Sequence, residues 1–96
     1  MLTGKQKRYL RSLGATLDPI VFVGKAALTD AITKSALAAI VVHELIKVRV
    51  LQNCPEMPST IIAKLADETG GALVQIIGRN GLIYLRNEEK PRIELP

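Results

Sequence analysis

The sequence predicts an α+β fold in which one four-stranded mixed sheet is built from the element order α-β-α-β-α-β-β. Apolar residues recur at helical spacing in three segments and form short or alternating strand-like runs in four others. Turn-forming glycine, proline or asparagine separates most of these segments. The chain has no internal repeat, and 96 residues are enough to bury one core without disulfide or metal staples. We therefore expect a single domain over 1–96, with its core over about 2–86.

The first helix is predicted over about 4–13. Thr3 and Gln6 have the spacing of a capping box, and Gly14 is suited to end the helix. The apolar residues share one arc, and four cations with no acid among them occupy the opposite side: Lys5, Lys7, Arg8 and Arg11. Because four like charges repel each other, a polyanion site and an ordinary solvated face are both open interpretations.

The second segment joins a strand to a helix through a glycine loop. Pro19 places a turn before a strand over 20–23, and a helix is predicted over about 29–42. Between them lie four residues that form a candidate anion-binding loop: Gly24, Lys25, Ala26 and Ala27. Free amides at a helix start favour phosphate, although a plain connection capped by Thr29 or Asp30 is the alternative. The helix is apolar almost all round, so we expect it to pack between the sheet and the first helix.

The strongest strand signal follows over 43–51. Apolar residues alternate there with Lys47 and Arg49, which predicts that both cations lie on the opposite face, where they either extend a polyanion site or are simply solvated. His43 invites a catalytic or metal-binding interpretation, but Cys54 with Glu44 makes at most an incomplete ligand set, and a structural role of His43 at the strand entrance is preferred to catalysis. No metal, cofactor or small-molecule substrate is expected.

The second half of the chain contains a helix and two strands. The helix is predicted from Ser59 to the glycine pair at Gly70, and the strands over 73–77 and 82–85. Residues 87–96 are interpreted as a tail or a short edge strand.

Residues 78–81 have the GxxG form of the KH clamp that grips nucleic-acid backbone. The KH clamp joins two helices, whereas these residues join two strand-like runs, and Asn80-Gly81 is a preferred hairpin pair. A tight turn is therefore predicted, with Arg79 as a possible outlying phosphate contact.

Charge is concentrated in the N-terminal half. Residues 1–51 hold eight Lys or Arg against three acids, whereas residues 52–96 hold five against six, and this asymmetry favours a polyanionic partner. One Phe and two Tyr, without Trp, offer little for base stacking, so nucleic-acid contacts are expected mainly with the backbone. A single Cys, with no signal-like or membrane-spanning apolar run, favours a cytoplasmic protein that does not associate with membranes.

Four motifs follow one another along about residues 2–86: Leu2-Thr3-Gly4-Lys5-Gln6-Lys7-Arg8, Pro19 to Gly24 with Lys25, His43-Glu44-Leu45-Ile46-Lys47-Val48, and Val74-Gln75-Ile76-Ile77-Gly78 leading to Tyr84. In this order they resemble the CRM domain, named for chloroplast RNA splicing and ribosome maturation, in its stand-alone bacterial YhbY-type form. The resemblance implies a fold similar to the C-terminal domain of bacterial translation initiation factor three. It also implies a non-enzymatic RNA-binding protein that associates with precursors of the large ribosomal subunit.

In that family a GxxG loop after the first strand and the basic first helix are taken to contact RNA. The resemblance carries these roles over to the loop at 24–27 and to the four helix cations. Ala27 stands where the family has its second glycine, which either limits backbone approach or requires a left-handed alanine.

The leading hypothesis is therefore binding of structured ribosomal RNA, or of a large-subunit precursor particle, through phosphates. One rival is a protein-binding adaptor whose basic face meets an acidic partner. A second is a small enzyme that uses His43, Glu44 or Cys54, but the sequence contains no set of nucleophile, base and orienting residue. No coiled-coil pattern is evident, so a monomer is expected.

Overall fold

Three helices and four strands follow one another in the predicted order, which confirms the α+β fold class. The computed structural model describes residues 1–96, and its elements are α1 (Gly4–Gly14), β1 (Val21–Val23), α2 (Asp30–His43), β2 (Leu45–Val50), α3 (Pro58–Thr69), β3 (Ala72–Ile77) and β4 (Asn80–Tyr84). The bounds lie within two residues of the predicted ones. The longest helix, α2, has 14 residues, and no helix is long and apolar enough to cross a membrane.

The sheet has the strand order β1-β2-β4-β3. β1 runs parallel to β2, while β4 runs antiparallel to both β2 and β3, so the sheet is mixed as predicted. α2 is the crossover between the two parallel strands. The C-terminal ends of β1 and β2 and the β3–β4 turn consequently lie at the same end of the sheet, which we call the loop end.

The two faces of the sheet support separate apolar clusters. The larger cluster joins α2 and α3 to alternate strand residues such as Val21, Val48 and Ile83. The smaller cluster joins α1 to residues of the opposite face: Leu10, Leu45, Val74, Leu82 and Tyr84. α1 therefore packs on one face, and the two other helices pack on the other.

The expectation that α2 packs between the sheet and α1 is wrong. α2 packs against the sheet and α3, on the face away from α1, and only Ala36 and Ile40 of the helix are fully buried. Leu37, Val41 and Val42 remain 41–49% exposed. The helix is apolar all round, but the sheet separates it from α1, so part of its apolar surface faces solvent.

The hairpin prediction is confirmed, but its central residues differ from the predicted pair. Ile77 pairs with Asn80, which leaves Gly78 and Arg79 as the two turn residues. Gly78 has φ +57°, the conformation that tight hairpins require at the first central position. Gly81 is instead a strand residue, where its missing side chain admits the fully buried Ile62 of α3.

The close approach of Gly81 and Ile62 leads to a prediction. Gly81→Ala is expected to lower the free energy of unfolding by about 1–3 kcal/mol, because the new methyl group would overlap a buried side chain. Urea denaturation measures this loss. Gly4→Ala is the matched control, since its methyl group would meet only the Arg8 guanidinium at 3.7 Å, and it is expected to leave stability unchanged or slightly higher. Equal stability of both variants would contradict the packing described here.

Residues 87–96 form a tail without strand pairing. Ile93 and Leu95 pack against the smaller cluster, and the Gln6 side chain donates a hydrogen bond to the Pro96 carbonyl at 3.3 Å. Glu44, at the junction of α2 and β2, is fully buried and accepts hydrogen bonds from backbone N–H groups of the tail. The tail is thus part of the folded structure.

Candidate nucleic-acid interface

α1 displays its cations in the way its sequence predicts. The capping box is present: the Gln6 amide donates to Thr3 Oγ1 at 3.1 Å, and the Thr3 amide donates to Gln6 Oε1 at 3.0 Å. Leu10 is buried under the helix, so the charged side chains take the remaining surface, where Lys5 and Arg8 are exposed and Lys7 and Arg11 are partly buried. None of the four forms an ion pair, since the only salt bridge of the protein joins Arg86 to Glu88 at 3.5 Å. The helix therefore presents unneutralised positive charge.

The C-terminal half of α1 and the sheet enclose a groove of about 320 Å³. Arg11 lies on the helix side of this groove and Lys47 on the sheet side, together with Gly14, Gln75 and other residues of which none is acidic. Two cations that are 36 positions apart in the sequence thus line one cavity. Arg49 lies two residues beyond Lys47 on the same face and is exposed, as the alternation predicts.

The loop after β1 is a tight turn. The Ala27 amide donates a hydrogen bond to the Gly24 carbonyl at 2.9 Å, which leaves Lys25 and Ala26 exposed at the tip. Ala27 has φ +56°, so the alanine does occupy a left-handed conformation. Such a conformation costs a non-glycine residue about 1 kcal/mol, and the Ala27 methyl group packs against the larger apolar cluster.

The start of α2 is capped by its own sequence. Thr29 is the N-cap residue, and its hydroxyl accepts a hydrogen bond from the Ile32 amide at 3.2 Å. Asp30 lies exposed in the first turn. Leu28 and Thr29 separate the loop from the helix, so Lys25 rather than the helix start supplies the positive charge at this position.

The loop after β1, residues 24–27, lies at the end of the sheet that was named the loop end. There the Leu51 amide donates to the Val23 carbonyl at 2.8 Å, and a Cβ on Gly24 would lie 3.3 Å from the Asn53 side chain. Arg79 of the hairpin turn donates from Nε to the Val50 carbonyl at 2.8 Å and from Nη2 to the Leu51 carbonyl at 2.7 Å. Two of its N–H donors are therefore committed to holding the loop end together.

The residues considered for catalysis or metal binding are not brought together. His43 is exposed at the end of α2, whereas Cys54 is buried beyond the opposite end of β2, about 20 Å away along a six-residue strand. Burial disfavours the charged form of Glu44, but hydrogen bonds from the Asn87, Ile93 and Arg92 amides outweigh this effect and lower its pKa. No group of three or more His, Cys, Asp or Glu side chains is placed to hold a metal ion.

One exposed residue on the α1 face of the sheet was not identified from the sequence. Phe22 is 50% exposed and pairs with Arg49 across the parallel strands, on the face away from Val21 and Val23. Only the alternation of buried and exposed residues could have indicated that Phe22 faces solvent. A three-residue strand is too short for this alternation to be distinguished from a uniformly apolar run.

Comparison with known proteins agrees with the resemblance stated above. The model of the CRS1/YhbY (CRM) domain matches residues 2–85. A Bacillus subtilis protein named probable RNA-binding protein YqeI is 45% identical, with 100% of both chains covered. An RNA-binding protein of Haemophilus influenzae is 38% identical and covers 99% of this chain and 95% of its own.

A solved structure has the same fold. It is the solution structure of the hypothetical protein SAV1595 from Staphylococcus aureus, which is 44% identical in sequence to this chain. The two structures superpose with a TM-score of 0.83, and the match covers 100% of each chain. Fold, motif order and relatives lead to one assignment: the chain belongs to the CRS1/YhbY (CRM) domain family.

Proposed function

We propose that this protein binds structured ribosomal RNA through its phosphate backbone and acts, as a non-enzymatic cytoplasmic monomer, in assembly of the large ribosomal subunit. The observation that carries the proposal is the set of unpaired cations on α1, continued across the groove by Lys47. The names of the relatives as RNA-binding proteins support the same partner.

The arrangement suits recognition of RNA shape. Lys5 and Arg11 are six residues apart, so the α1 cations extend over about 9 Å of helix. Lys47 and Arg49 continue the positive charge on the sheet, and Lys25 adds to it at the loop end. Contacts of this kind position a protein on the RNA backbone without reading base sequence.

A protein-binding adaptor is the second candidate, favoured by the exposed apolar side chains of α2. Leu37, Val41 and Val42 give this helix a surface that an apolar partner would cover. An adaptor without RNA contact would not show the steep salt dependence that follows from counterion release.

A salt series tests the proposal. If four or five phosphates are contacted, log affinity for large-subunit ribosomal RNA is expected to fall against log salt with a slope of about −3 to −4. Lys25→Ala should flatten the slope by roughly 0.7–0.9. Lys64→Ala, which removes an equal charge from α3 on the other face, is the matched control and should leave the slope unchanged. Absent or salt-independent binding would reject the proposal in favour of the adaptor.

A further inference from the structure

α1 leaves the half of its sheet face nearest the loop end uncovered. Cross-strand neighbours point to the same face of a sheet, so one row of side chains crosses all four strands here: Phe22, Arg49, Asn80 and Ile77. We call this set the open row. The C-terminal end of α1 lies over Leu82, two residues along β4 from Asn80, and Phe22 and Ile77 at the ends of the row belong to neither apolar cluster.

The open row exposes apolar surface that the protein itself does not bury. Phe22, the only phenylalanine of the chain, is 50% exposed, and Ile77 at the other end of the row is 63% exposed. Val23, which follows Phe22 in β1, and its cross-strand partner Val50 are fully buried on the opposite face, so the strand pairing prevents Phe22 from turning into the core. An exposed aromatic ring beside an arginine is a surface that a binding partner would cover.

The positive charge around the open row indicates the kind of partner that would bind there. Arg49 lies in the open row next to Phe22, and Arg11 and Lys47 line the groove that the row residues Asn80 and Ile77 also line. No acidic side chain belongs to the row or lines that groove. A polyanion that also carries flat apolar rings satisfies both features, since bases stack on aromatic rings and guanidinium planes while phosphates pair with the cations.

We infer that the open row is a binding site for an unpaired nucleotide segment of the bound RNA, with one base stacked on Phe22 and its backbone held by Arg49. The inference rests on the proposed RNA binding and adds to it a single-stranded subsite beside the α1 cations. Paired RNA held by α1 would continue into this subsite as an unpaired end or loop.

The test compares two RNAs with each protein variant: a blunt hairpin, and the same hairpin with a five-nucleotide single-stranded extension that carries 2-aminopurine. Wild type is expected to bind the extended RNA more tightly and to quench its fluorescence by stacking. Phe22→Ala should lose about tenfold in affinity for the extended RNA, lose the quenching, and bind the blunt hairpin within twofold of wild type. Phe22→Tyr, which keeps the ring, should retain both properties.

Matched variants separate stacking from general effects. Val42→Ala removes an apolar side chain of similar exposure from α2 on the other face and should change nothing. Arg49→Ala should weaken binding of the extended RNA and flatten its salt slope by about 0.7. Thermal unfolding of Phe22→Ala near the wild-type temperature establishes that its fold is intact.

The outcomes are distinct. Binding of neither RNA by wild type would overturn both the proposed function and this inference. Normal binding of the blunt hairpin, with Phe22→Ala indistinguishable from wild type on the extended RNA, would overturn the inference alone and leave the open row as a surface for a protein partner. Equal weakening of both RNAs by Phe22→Ala would also overturn it, because the ring would then not be specific for unpaired nucleotides.

Discussion

Replacing Lys5, Lys7, Arg8 and Arg11 together with alanine is expected to lower affinity for large-subunit ribosomal RNA by two to three orders of magnitude at about 0.15 M salt. Each phosphate contact releases close to one counterion, so four lost contacts also flatten the salt slope by roughly 3. None of these side chains forms an ion pair or a hydrogen bond within the protein. Alanine is a strong helix former and the capping box remains, so α1 should still form.

The matched control removes four cations from elsewhere in the chain. Lys34 and Lys64 are exposed on the helices of the opposite face, and Lys90 and Arg92 are exposed in the tail. Their replacement with alanine lowers the net charge by the same amount, so any general electrostatic attraction is lost equally. Filter binding or fluorescence anisotropy on both variants gives the comparison. Similar losses in the two variants would mean that net charge, and not the placement of cations on α1, determines binding.

The local sequence determined the elements well because each carries its own signal. The capping box at Thr3 set the start of α1, and the alternation around Lys47 set both the strand and the face of its cations. Arg11 and Lys47 were identified separately, but the groove that they share depends on how α1 crosses the sheet. That crossing is a tertiary property with no local pattern.

The two incorrect predictions, for the packing of α2 and for the residues of the hairpin turn, also have tertiary causes. An apolar helix such as α2 is compatible with burial on several sides, and only the sheet between it and α1 decides that Val41 and Val42 are exposed. Asn80-Gly81 has strong turn propensity, but the space that Ile62 requires places Gly81 in β4 and shifts the turn to Gly78. Tertiary packing overrode local preference at both positions.

Glu44 has a structural role that no pattern in the sequence indicated. Its carboxylate takes hydrogen bonds from the Asn87 and Ile93 amides, both at 2.7 Å, and from the Arg92 amide. Its partners lie 43–49 positions away in the sequence. Glu44 also has φ +64°, a conformation that few side chains adopt, at the turn from α2 into β2. The residue thus connects this turn to the C-terminal tail.

Glu44→Gln is expected to lower the free energy of unfolding by about 2–3 kcal/mol at neutral pH. The amide keeps the shape of the side chain but replaces one acceptor oxygen with an N–H donor that faces backbone donors, and it loses the charge that strengthens the remaining bonds. The freed tail amides can still reach water if the tail detaches, which limits the loss. Hydrogen exchange at Asn87, Arg92 and Ile93 should accelerate in the variant, because the amides on one side of the group lose their acceptor and those on the other side keep only a weaker, uncharged one.

The difference between wild type and Glu44→Gln should depend on pH. Because hydrogen bonding lowers the pKa of Glu44 in the folded protein below the ordinary value of 4.5, the unfolded chain binds more protons in acid. The carboxylate therefore contributes its full stabilisation above about pH 4.5 and loses it as the pH falls through the lower folded pKa. Urea denaturation of both proteins along a pH series should show the stability gap narrowing in this range.

Glu94→Gln supplies the matched control, because Glu94 lies in the same tail but is exposed and accepts no hydrogen bond. Its stability should follow that of wild type at every pH. A gap between wild type and Glu44→Gln that stays constant from neutral pH into acid would contradict the ionised, amide-bound carboxylate. Because Ile93 and Leu95 of the tail cover the cluster on which α1 packs, loss of this carboxylate should also loosen the helix that carries the proposed RNA contacts. Weaker RNA binding by Glu44→Gln, with the α1 cations intact, would therefore reflect poorer positioning of α1 rather than a missing phosphate contact.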